Sequence, residues 1–161
     1  MPEIANAAGV ATGTIYRYFD TKDALLNALY QRWRGELNAR VLAPTRDGLS
    51  SRQLFGVMWR RIAEWFVEYP VQAAFLEKHY HKPLLDEKSR EADRIFIAVM
   101  ERFVTDAKAS GDVRDMRPTL AVALVWGGAL GMLKMVGDGH LDADAPVIAQ
   151  AEASLWDALR S

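Results

Sequence analysis

Apolar residues recur at intervals of three and four along almost the whole chain, and no segment shows the sustained alternation that is typical of strands. The pattern is clearest after Ser50, where Phe55, Met58, Ile62 and Trp65 share one helical face. The spacing therefore predicts an all-α fold.

Glycines, prolines and capping residues divide this pattern into separate predicted helices. Ser50 and Gln53 form a capping box, Pro70 ends one helix and begins another, and Gly111 ends a further one. Nothing Ser-rich or low in complexity suggests a flexible linker. We expect helices over about 21–42, 50–69, 86–110, 118–137 or 118–139, and 146–159, and a short helix that begins at 70 and fades around 81–83.

The most apolar segment, Leu120–Leu133, is followed by Lys134 and is shorter than the roughly 18 to 20 residues that span a bilayer. We interpret it as a buried helix and predict no membrane association. The N-terminus lacks the basic start and apolar run of a secretory signal, and the chain contains no cysteine. These features indicate a cytoplasmic protein without disulfides or thiolate metal sites.

The first 19 residues have the layout of a helix-turn-helix. A short helix is expected to end at Ala8, Gly9 can adopt the positive φ of a tight turn, and a second helix should run over about 12–19. Val10 is expected to fill the angle between the two helices. The second helix would then read the major groove of DNA.

The chemistry of this segment suits contacts to phosphates and base edges. Short hydroxyls, backbone accessible at a glycine, and aromatic and basic side chains occur together, and a lysine begins the following helix, where free N–H groups attract phosphate. The formal net charge is −1, so DNA contact must depend on local placement of charge. The candidate DNA-binding residues are Thr12, Gly13, Tyr16, Arg17, Tyr18 and Lys22.

These motifs resemble the TetR family of transcriptional repressors. The matching segments are Ile4-Ala5, Ala8-Gly9-Val10, Gly13-Thr14-Ile15-Tyr16, Tyr18-Phe19 and Thr21-Lys22-Asp23-Ala24-Leu25. The resemblance implies a helix-turn-helix DNA-binding head over residues 1–42, followed over 43–161 by a helical-bundle domain for ligand binding and dimerisation. It also implies a homodimeric repressor that binds double-stranded operator DNA and responds to a small apolar or amphipathic effector.

The chain departs from the family pattern in two places. Ala11 replaces the usual Ser or Thr, which removes a helix cap worth about 1 kcal/mol unless Thr12 takes over. Family members also carry a first helix ahead of this motif, so we expect an incomplete head and a chain shortened at its N-terminus. The alternative hypothesis is a helical ligand-binding or dimerisation protein that does not bind DNA on its own.

Aromatic and methionine side chains in the middle helices are candidates for lining an effector pocket, although plain core packing is the competing interpretation. These residues are Trp59, Phe66, Phe75, Phe96, Met100, Phe103, Trp126 and Met132. A dimer seam is predicted where small residues on the apolar helix permit close approach, with intrachain packing as the alternative. The candidate interface residues are Gly127, Gly131, Leu155 and Leu159.

Glu77, His79 and His81 raise the question of a metal site, but spacing by one residue places the two histidines on different sides of a helix. We therefore expect a solvated or hinge-lying pair and no metal. The chain has three histidines and no Gly-rich phosphate loop after a strand. It also lacks the setting of a nucleophilic serine, so we expect neither an enzyme nor a cofactor.

Overall fold

The computed structural model describes residues 1–80 and 83–161, and these residues form eight helices. The described residues contain no sheet, only an isolated bridge between Val113 and Arg160. The all-α prediction is confirmed. The helices are α1 (Pro2–Ala7), α2 (Thr12–Tyr16), α3 (Lys22–Val41), α4 (Ser51–Glu68), α5 (Pro70–His79), α6 (Glu87–Ala109), α7 (Pro118–Gly137) and α8 (Ala145–Leu159).

Side-chain caps fix where most of the long helices begin. Ser50 and Gln53 form the predicted capping box at α4, with each side chain bonded to the backbone N–H of the other. Asp86 accepts a bond from Ser89 N at α6, and Asp144 accepts one from Val147 N at α8. Each cap satisfies an N–H group that the first turn leaves without a partner.

Helix α4 lies at the centre of the bundle and contacts α3, α5, α7 and α8. Its side chains Trp59, Trp65 and Phe66 are buried, and the Trp59 indole donates to Ile148 O at 3.0 Å. Helix α6 packs against α3 on one side and α7 on the other. Helix α3, which follows the predicted DNA-binding head, therefore contacts α4, α5 and α6 directly. It is connected to α7 and α8 through one of these helices.

Helix α7 has the predicted bounds but is more exposed than the sequence suggested. It runs from Pro118 to Gly137, and only Ala121 and Ala129 are buried, so the prediction of a buried helix is wrong. By length and composition α7 is the one helix in the described part of the chain that could cross a membrane. Helices in the cores of water-soluble proteins meet the same criterion. The exposed side of α7 carries Leu120, Ala123, Leu124, Gly127, Gly131 and Met135.

The two N-terminal helices pack on each other through Ala5, which is buried. Val10 does not fill the angle between them as expected, because 41% of it remains exposed. Ile4 is exposed to a similar degree, whereas Ile15 and Phe19 are half-buried. Two short helices with this little apolar cover depend on their surroundings for stability.

Candidate DNA-binding and effector sites

A glycine turn sets the angle between α1 and α2. Gly9 adopts φ +67°, a left-handed conformation that costs a residue with a side chain about 1 to 2 kcal/mol. Its N–H bonds to Asn6 O at 3.1 Å, and Val10 N bonds to Ala5 O at 3.0 Å. These bonds close the end of α1 and turn the chain toward α2, as the helix-turn-helix motif requires.

Helix α2 begins without a side-chain cap. Ala11 occupies the N-cap position in an extended conformation, and Thr12 does not take over the capping role. The helix ends at Tyr16, earlier than the predicted Phe19, and residues 17–18 continue as a turn in which Arg17 N bonds to Gly13 O. The absent cap agrees with the short length of this helix.

Five of the six candidate DNA-binding residues are exposed. Tyr16 and Tyr18 are 48% and 74% exposed, and Gly13, Arg17 and Lys22 are also exposed, whereas Thr12 is half-buried. Within residues 1–80 and 83–161, neither Arg17 nor Lys22 has an acidic partner at ion-pair distance. Their charges therefore remain available for phosphate.

Lys22 occupies the first position of α3, next to a capped helix start. The Thr21 hydroxyl accepts a hydrogen bond from Ala24 N at 3.0 Å, which fixes the first turn. The free N–H groups of a helix start and a lysine charge both favour an anion, so this end of α3 suits a phosphate. This end of α3 follows α2 after a short connection.

Described residues of the bundle line three neighbouring cavities. The inner cavity, of about 40 Å³, lies among α4, α6 and α7 and is lined by Met58, Phe96, Met100, Phe103 and Trp126. The outer cavity, of about 230 Å³, lies among α4, α5 and α7 and is lined by Ala63, Val67, Ala74, Met132 and Leu133. The polar cavity, of about 100 Å³, lies among α3, α5 and α7 and is lined by Tyr30, Arg34, Leu76, Glu77 and Tyr80.

Three aromatic side chains separate these cavities. Trp59 borders the inner and outer cavities, Trp126 borders the inner and polar cavities, and Phe66 borders the outer and polar cavities. The Phe66 and Trp126 rings meet edge to face with centroids 5.8 Å apart. Each of the three side chains therefore forms part of the wall of two adjacent cavities.

Seven of the eight residues proposed for the effector pocket line one of these cavities. The exception is Phe75, which lines none of the three and instead stacks on His79 with a centroid distance of 4.2 Å. Its position on α5 turns the ring toward the end of its own helix. The other seven are Trp59, Phe66, Phe96, Met100, Phe103, Trp126 and Met132.

A buried polar cluster that the sequence pattern did not predict connects α3 to α6. The Tyr30 hydroxyl donates to the Asp93 carboxylate at 2.8 and 3.0 Å, and Arg34 Nε lies 2.7 Å from Asp93 Oδ1. The Arg34 guanidinium also lies over the Phe96 ring, 4.6 Å from its centroid. Asp93 stands three residues before Phe96 on the apolar stripe of α6. A charged residue on an apolar stripe was the feature of the sequence that could have indicated a buried ion pair.

Burial dominates the electrostatics of this cluster. It raises the pKa of Asp93, while the Arg34 charge and the Tyr30 hydrogen bond act in the opposite direction. The pKa of Tyr30 is raised as well, first by burial and then by the neighbouring Asp93 charge. The cluster therefore holds a charged pair inside the protein at the cost of desolvation.

A second set of hydrogen bonds holds the first half of α3 against the start of α6. Asn27 Nδ2 donates to Leu84 O at 2.8 Å, and Asn27 Oδ1 accepts from Asp86 N at 2.9 Å and from the Ser89 hydroxyl at 2.8 Å. Asn27 and Ser89 are both buried. Helix α3 is thus held against α6 at two places, by the hydrogen bonds of Asn27 and by the cluster around Asp93.

The proposed histidine pair is only partly within the described residues. His79 Nδ1 lies 2.8 Å from Phe75 O and its ring stacks on Phe75, so contacts within α5 occupy it. His81 lies outside the described residues. Among the residues that the structure describes, no group of three or more His, Cys, Asp or Glu is arranged to hold a metal ion.

The candidate interface residues fall into two groups. A Cβ added to Gly127 or Gly131 would meet no atom within 4 Å, so both glycines face open space on α7. Leu155 instead packs within the chain, where it approaches Gly128, and Leu159 is 1% exposed. The assignment of Leu159 to a surface is therefore corrected, because its side chain fills the core.

Comparison with known proteins identifies the class. A family model described as "Bacterial regulatory proteins, tetR family" matches residues 1–29, and one described as "Tetracyclin repressor-like, C-terminal domain" matches residues 33–161. The chain therefore belongs to the tetR family of bacterial regulatory proteins. It is a DNA-binding transcriptional repressor of TetR type that responds to a ligand.

Individual relatives are distant in sequence but close in fold. The HTH-type transcriptional repressor KstR2 of Rhodococcus jostii (strain RHA1) is 23% identical over 137 residues, which are 77% of this chain and 67% of the relative. A TetR family transcription regulator from Marinobacter aquaeolei VT8 matches with a TM-score of 0.85 and 20% identity, covering 98% of this chain and 83% of that one. The ketosteroid transcriptional regulator KstR2 of Mycobacterium tuberculosis matches with a TM-score of 0.78 and 14% identity, covering 99% and 84%.

Proposed function

We propose that this repressor acts as a homodimer, binds double-stranded operator DNA through the exposed surface of α2 and the start of α3, and releases it when a small apolar or amphipathic effector occupies the bundle. The operator contacts assigned to this surface are Thr12, Gly13, Tyr16, Arg17, Tyr18 and Lys22. The effector is assigned to the cavities lined by Trp59, Phe66, Phe96, Met100, Phe103, Trp126 and Met132.

The observation that carries this proposal is the position of α3. Its first residue, Lys22, belongs to the proposed DNA surface, and Tyr30 and Arg34 further along the same helix line the polar cavity. At a rise of about 1.5 Å per residue, Lys22 and Arg34 are about 18 Å apart along the helix axis. A ligand that shifts α3 within the bundle would therefore move the DNA-binding surface as well.

The mechanism follows from the geometry of a two-fold dimer on B-DNA. Two recognition helices must lie about 34 to 36 Å apart to enter successive major grooves on the same side of the duplex. An effector that binds better to another arrangement of α3 shifts the population toward that arrangement. The fraction of dimers with the correct spacing then falls, and the operator is released.

The chemistry of the cavities supports an apolar or amphipathic effector. The inner and outer cavities are walled by aromatic, aliphatic and methionine side chains, and methionine adapts its shape to irregular ligands. The Mycobacterium tuberculosis structure with this fold is described as a ketosteroid regulator. A predominantly apolar effector for the present chain is consistent with that description.

The remaining assignments complete the proposal. The protein is cytoplasmic, without a membrane partner, cofactor or metal, and it is not an enzyme. No Ser or Asp motif of the sequence has the setting that nucleophilic catalysis needs. Binding and a change of shape are sufficient for the activity of a repressor.

Gel mobility shift with the DNA upstream of the protein's own gene tests the proposal. Purified protein should retard this fragment, and an unrelated fragment of equal length should require far higher concentrations. A panel of lipophilic compounds is first screened by thermal shift, because a ligand at a hundred times its Kd stabilises the folded state by about 2.7 kcal/mol. Compounds that stabilise the protein should then release the fragment.

The same experiments distinguish the repressor from the alternative, a helical ligand-binding protein. If lipophilic compounds stabilise the protein but the fragment is never retarded more than the unrelated one, the chain is a helical ligand-binding protein that does not bind DNA on its own. If neither binding event is detected, the repressor mechanism proposed above is wrong.

A further inference from the structure

The polar cavity differs from its two neighbours because a buried cation forms part of its wall. Arg34 is 4% exposed, and the side chains around it in the cavity are mainly apolar or aromatic. Burying a guanidinium costs free energy unless hydrogen-bond acceptors replace the lost water. The contacts of Arg34 show how far the protein itself supplies such acceptors.

Asp93 compensates the charge of Arg34 at one edge only. Arg34 Nε lies 2.7 Å from Asp93 Oδ1, yet in the described part of the chain no acceptor makes a well-directed hydrogen bond to this buried nitrogen. Asp93 is also engaged by the Tyr30 hydroxyl at both of its oxygens. The carboxylate is therefore shared between two donors and does not saturate the guanidinium.

The opposite edge of the guanidinium has no acceptor among residues 1–80 and 83–161. A guanidinium is planar and offers two edges for paired hydrogen bonds, one with Nε and one with the two Nη atoms. The Phe96 and Trp126 rings pack on one side of the group, with centroids 4.6 and 5.4 Å from Arg34 Cζ and 5.5 Å from each other. Because Arg34 lines the polar cavity, an acceptor bound there is a candidate partner for the Nη edge.

We infer that Arg34 anchors the anionic head group of the effector, so that the ligand is an amphipathic carboxylate with its head in the polar cavity and its apolar body in the outer cavity. This inference rests on the function proposed above and specifies its ligand class. Phe66 borders both cavities, so it lies where the head and the body of such a molecule would meet.

The dimensions and lining agree with this division of the ligand. The polar cavity holds about 100 Å³, which suits a head group, and the outer cavity holds about 230 Å³ behind walls such as Ala129, Met132 and Leu133. Two acidic groups oppose a second anion: Asp93 beside Arg34, and Glu77, which is exposed at the cavity. The bidentate Nη edge favours a carboxylate despite them, because paired charge-assisted hydrogen bonds are stronger than neutral ones.

Three ten-carbon compounds that differ only at the head test the inference: decanoate, decanamide and 1-decanol. Calorimetric titration of the full chain near neutral pH should show decanoate binding about tenfold or more tightly than either neutral compound, as expected for a charge-assisted contact. Decanoate should also release the retarded DNA fragment at lower concentration than decanamide.

Variants then assign the preference to Arg34. In Arg34→Gln, decanoate should bind no better than decanamide, while the affinity for decanamide stays within about threefold of the parent, since a single lost contact affects only the charged ligand. Because Arg34→Gln leaves Asp93 buried without its cation, the double variant Arg34→Gln with Asp93→Asn removes both charges and provides a second background. Arg60→Gln, at an exposed arginine on α4, is the matched control and should retain the preference.

The outcomes distinguish this inference from the function on which it rests. Equal affinity for all three compounds, together with release of DNA, overturns the carboxylate site and leaves the effector mechanism intact. Persistence of the decanoate preference in the double variant also overturns it. If none of the three compounds binds, the inference fails, and the lipophilic screen described above decides separately whether the effector mechanism fails with it.

Discussion

Individual side chains of the buried cluster contribute unequally to stability. Asp93 neutralises Arg34 in a buried setting, whereas Tyr30 supplies a hydrogen bond to the same carboxylate. Removing one member of a buried ion pair leaves the other charge uncompensated, which is far more costly than losing an exposed pair. The two positions therefore respond differently to substitution.

We predict that Asp93→Ala lowers the free energy of unfolding by about 3 to 5 kcal/mol, because Arg34 then remains buried without a counter-charge. Tyr30→Phe should lower it by about 1 to 3 kcal/mol through loss of the hydrogen bond to the carboxylate. Urea unfolding followed by circular dichroism measures both values. Asp106→Ala, in an exposed pair with Arg102, is the control and should cost less than about 1 kcal/mol.

The raised pKa of Asp93 gives its contribution to stability a definite dependence on pH. A carboxyl whose pKa is higher in the folded state than in the unfolded state binds more protons when folded, so its contribution is present at low pH and is lost as the pH rises through the folded pKa. The parent should therefore become more stable relative to Asp93→Asn as the pH falls from neutral toward about 4.5. Urea unfolding at several pH values measures this difference, and a constant or decreasing difference would contradict the raised pKa.

At the DNA-binding surface, Arg17 is expected to contact phosphate. Arg17→Ala should weaken binding to specific and unrelated DNA by similar factors and lower the slope of log K against log salt by about 1. Fluorescence anisotropy at several salt concentrations measures both quantities. Arg102→Ala, on the surface of α6, is the matched control and should leave the slope unchanged. A slope that is the same for Arg17→Ala and the parent would remove Arg17 from the phosphate contacts.

At the level of elements, the positive φ of Gly9 controls how α2 is presented. We predict that Gly9→Ala reduces DNA affinity because an L-residue with a side chain resists the left-handed conformation by about 1 to 2 kcal/mol. The melting of the bundle should hardly change, since α1 and α2 pack mainly on each other. Gly35→Ala, at an open position within α3, is the control and should bind DNA like the parent. Equal affinity in Gly9→Ala would show that the turn tolerates another geometry.

Helix boundaries were predictable where local chemistry determines them. The capping box at Ser50, the break at Pro70 and the stop at Gly111 are interactions within a few residues, and the structure places helix ends at each of them. The end of α2 was placed too late, because nothing local after Tyr16 signals a stop. The family motif, by contrast, was recognisable because several of its positions agree within one short segment.

For the effector cavities, the sequence predicted which kinds of side chain form the walls but not how those side chains are arranged. Apolar spacing identified seven side chains that line cavities. Spacing cannot show that an eighth, Phe75, stacks on His79 and lines none of the three cavities. Arg34 and Asp93 were missed because each is charged, and a single charge on a helix usually faces solvent. Their pairing joins residues far apart in sequence and follows from the packing of α3 against α6.

At the scale of the whole molecule, the exposed side of α7 requires an explanation. Large apolar residues such as Leu120, Leu124 and Met135 remain 45 to 50% exposed, and the two glycines between them are open to close approach. A contiguous apolar surface of this kind is typical of an interface. The exposed side of the neighbouring α8 carries small residues, including Ala149, Ala153 and Ser154, which would allow a second pair of helices to approach closely.

We predict that two copies of the chain associate through α7 and α8, and that Gly131→Leu weakens this association by at least tenfold in Kd because a larger side chain separates helices that meet at the glycine. Light scattering after size-exclusion chromatography, over a range of micromolar concentrations, measures the dissociation. Gly35→Leu is the matched control: Gly35 is also an exposed helical glycine with no atom within 4 Å of an added Cβ, but it lies on α3 away from this surface. It should leave the dimer intact. A parent that is monomeric at these concentrations, or a Gly131→Leu variant that dimerises as well as the parent, would contradict the interface. The effect on DNA follows from the same geometry, because a weakened dimer presents its two recognition surfaces independently and loses the gain in affinity that comes from binding both half-sites at once.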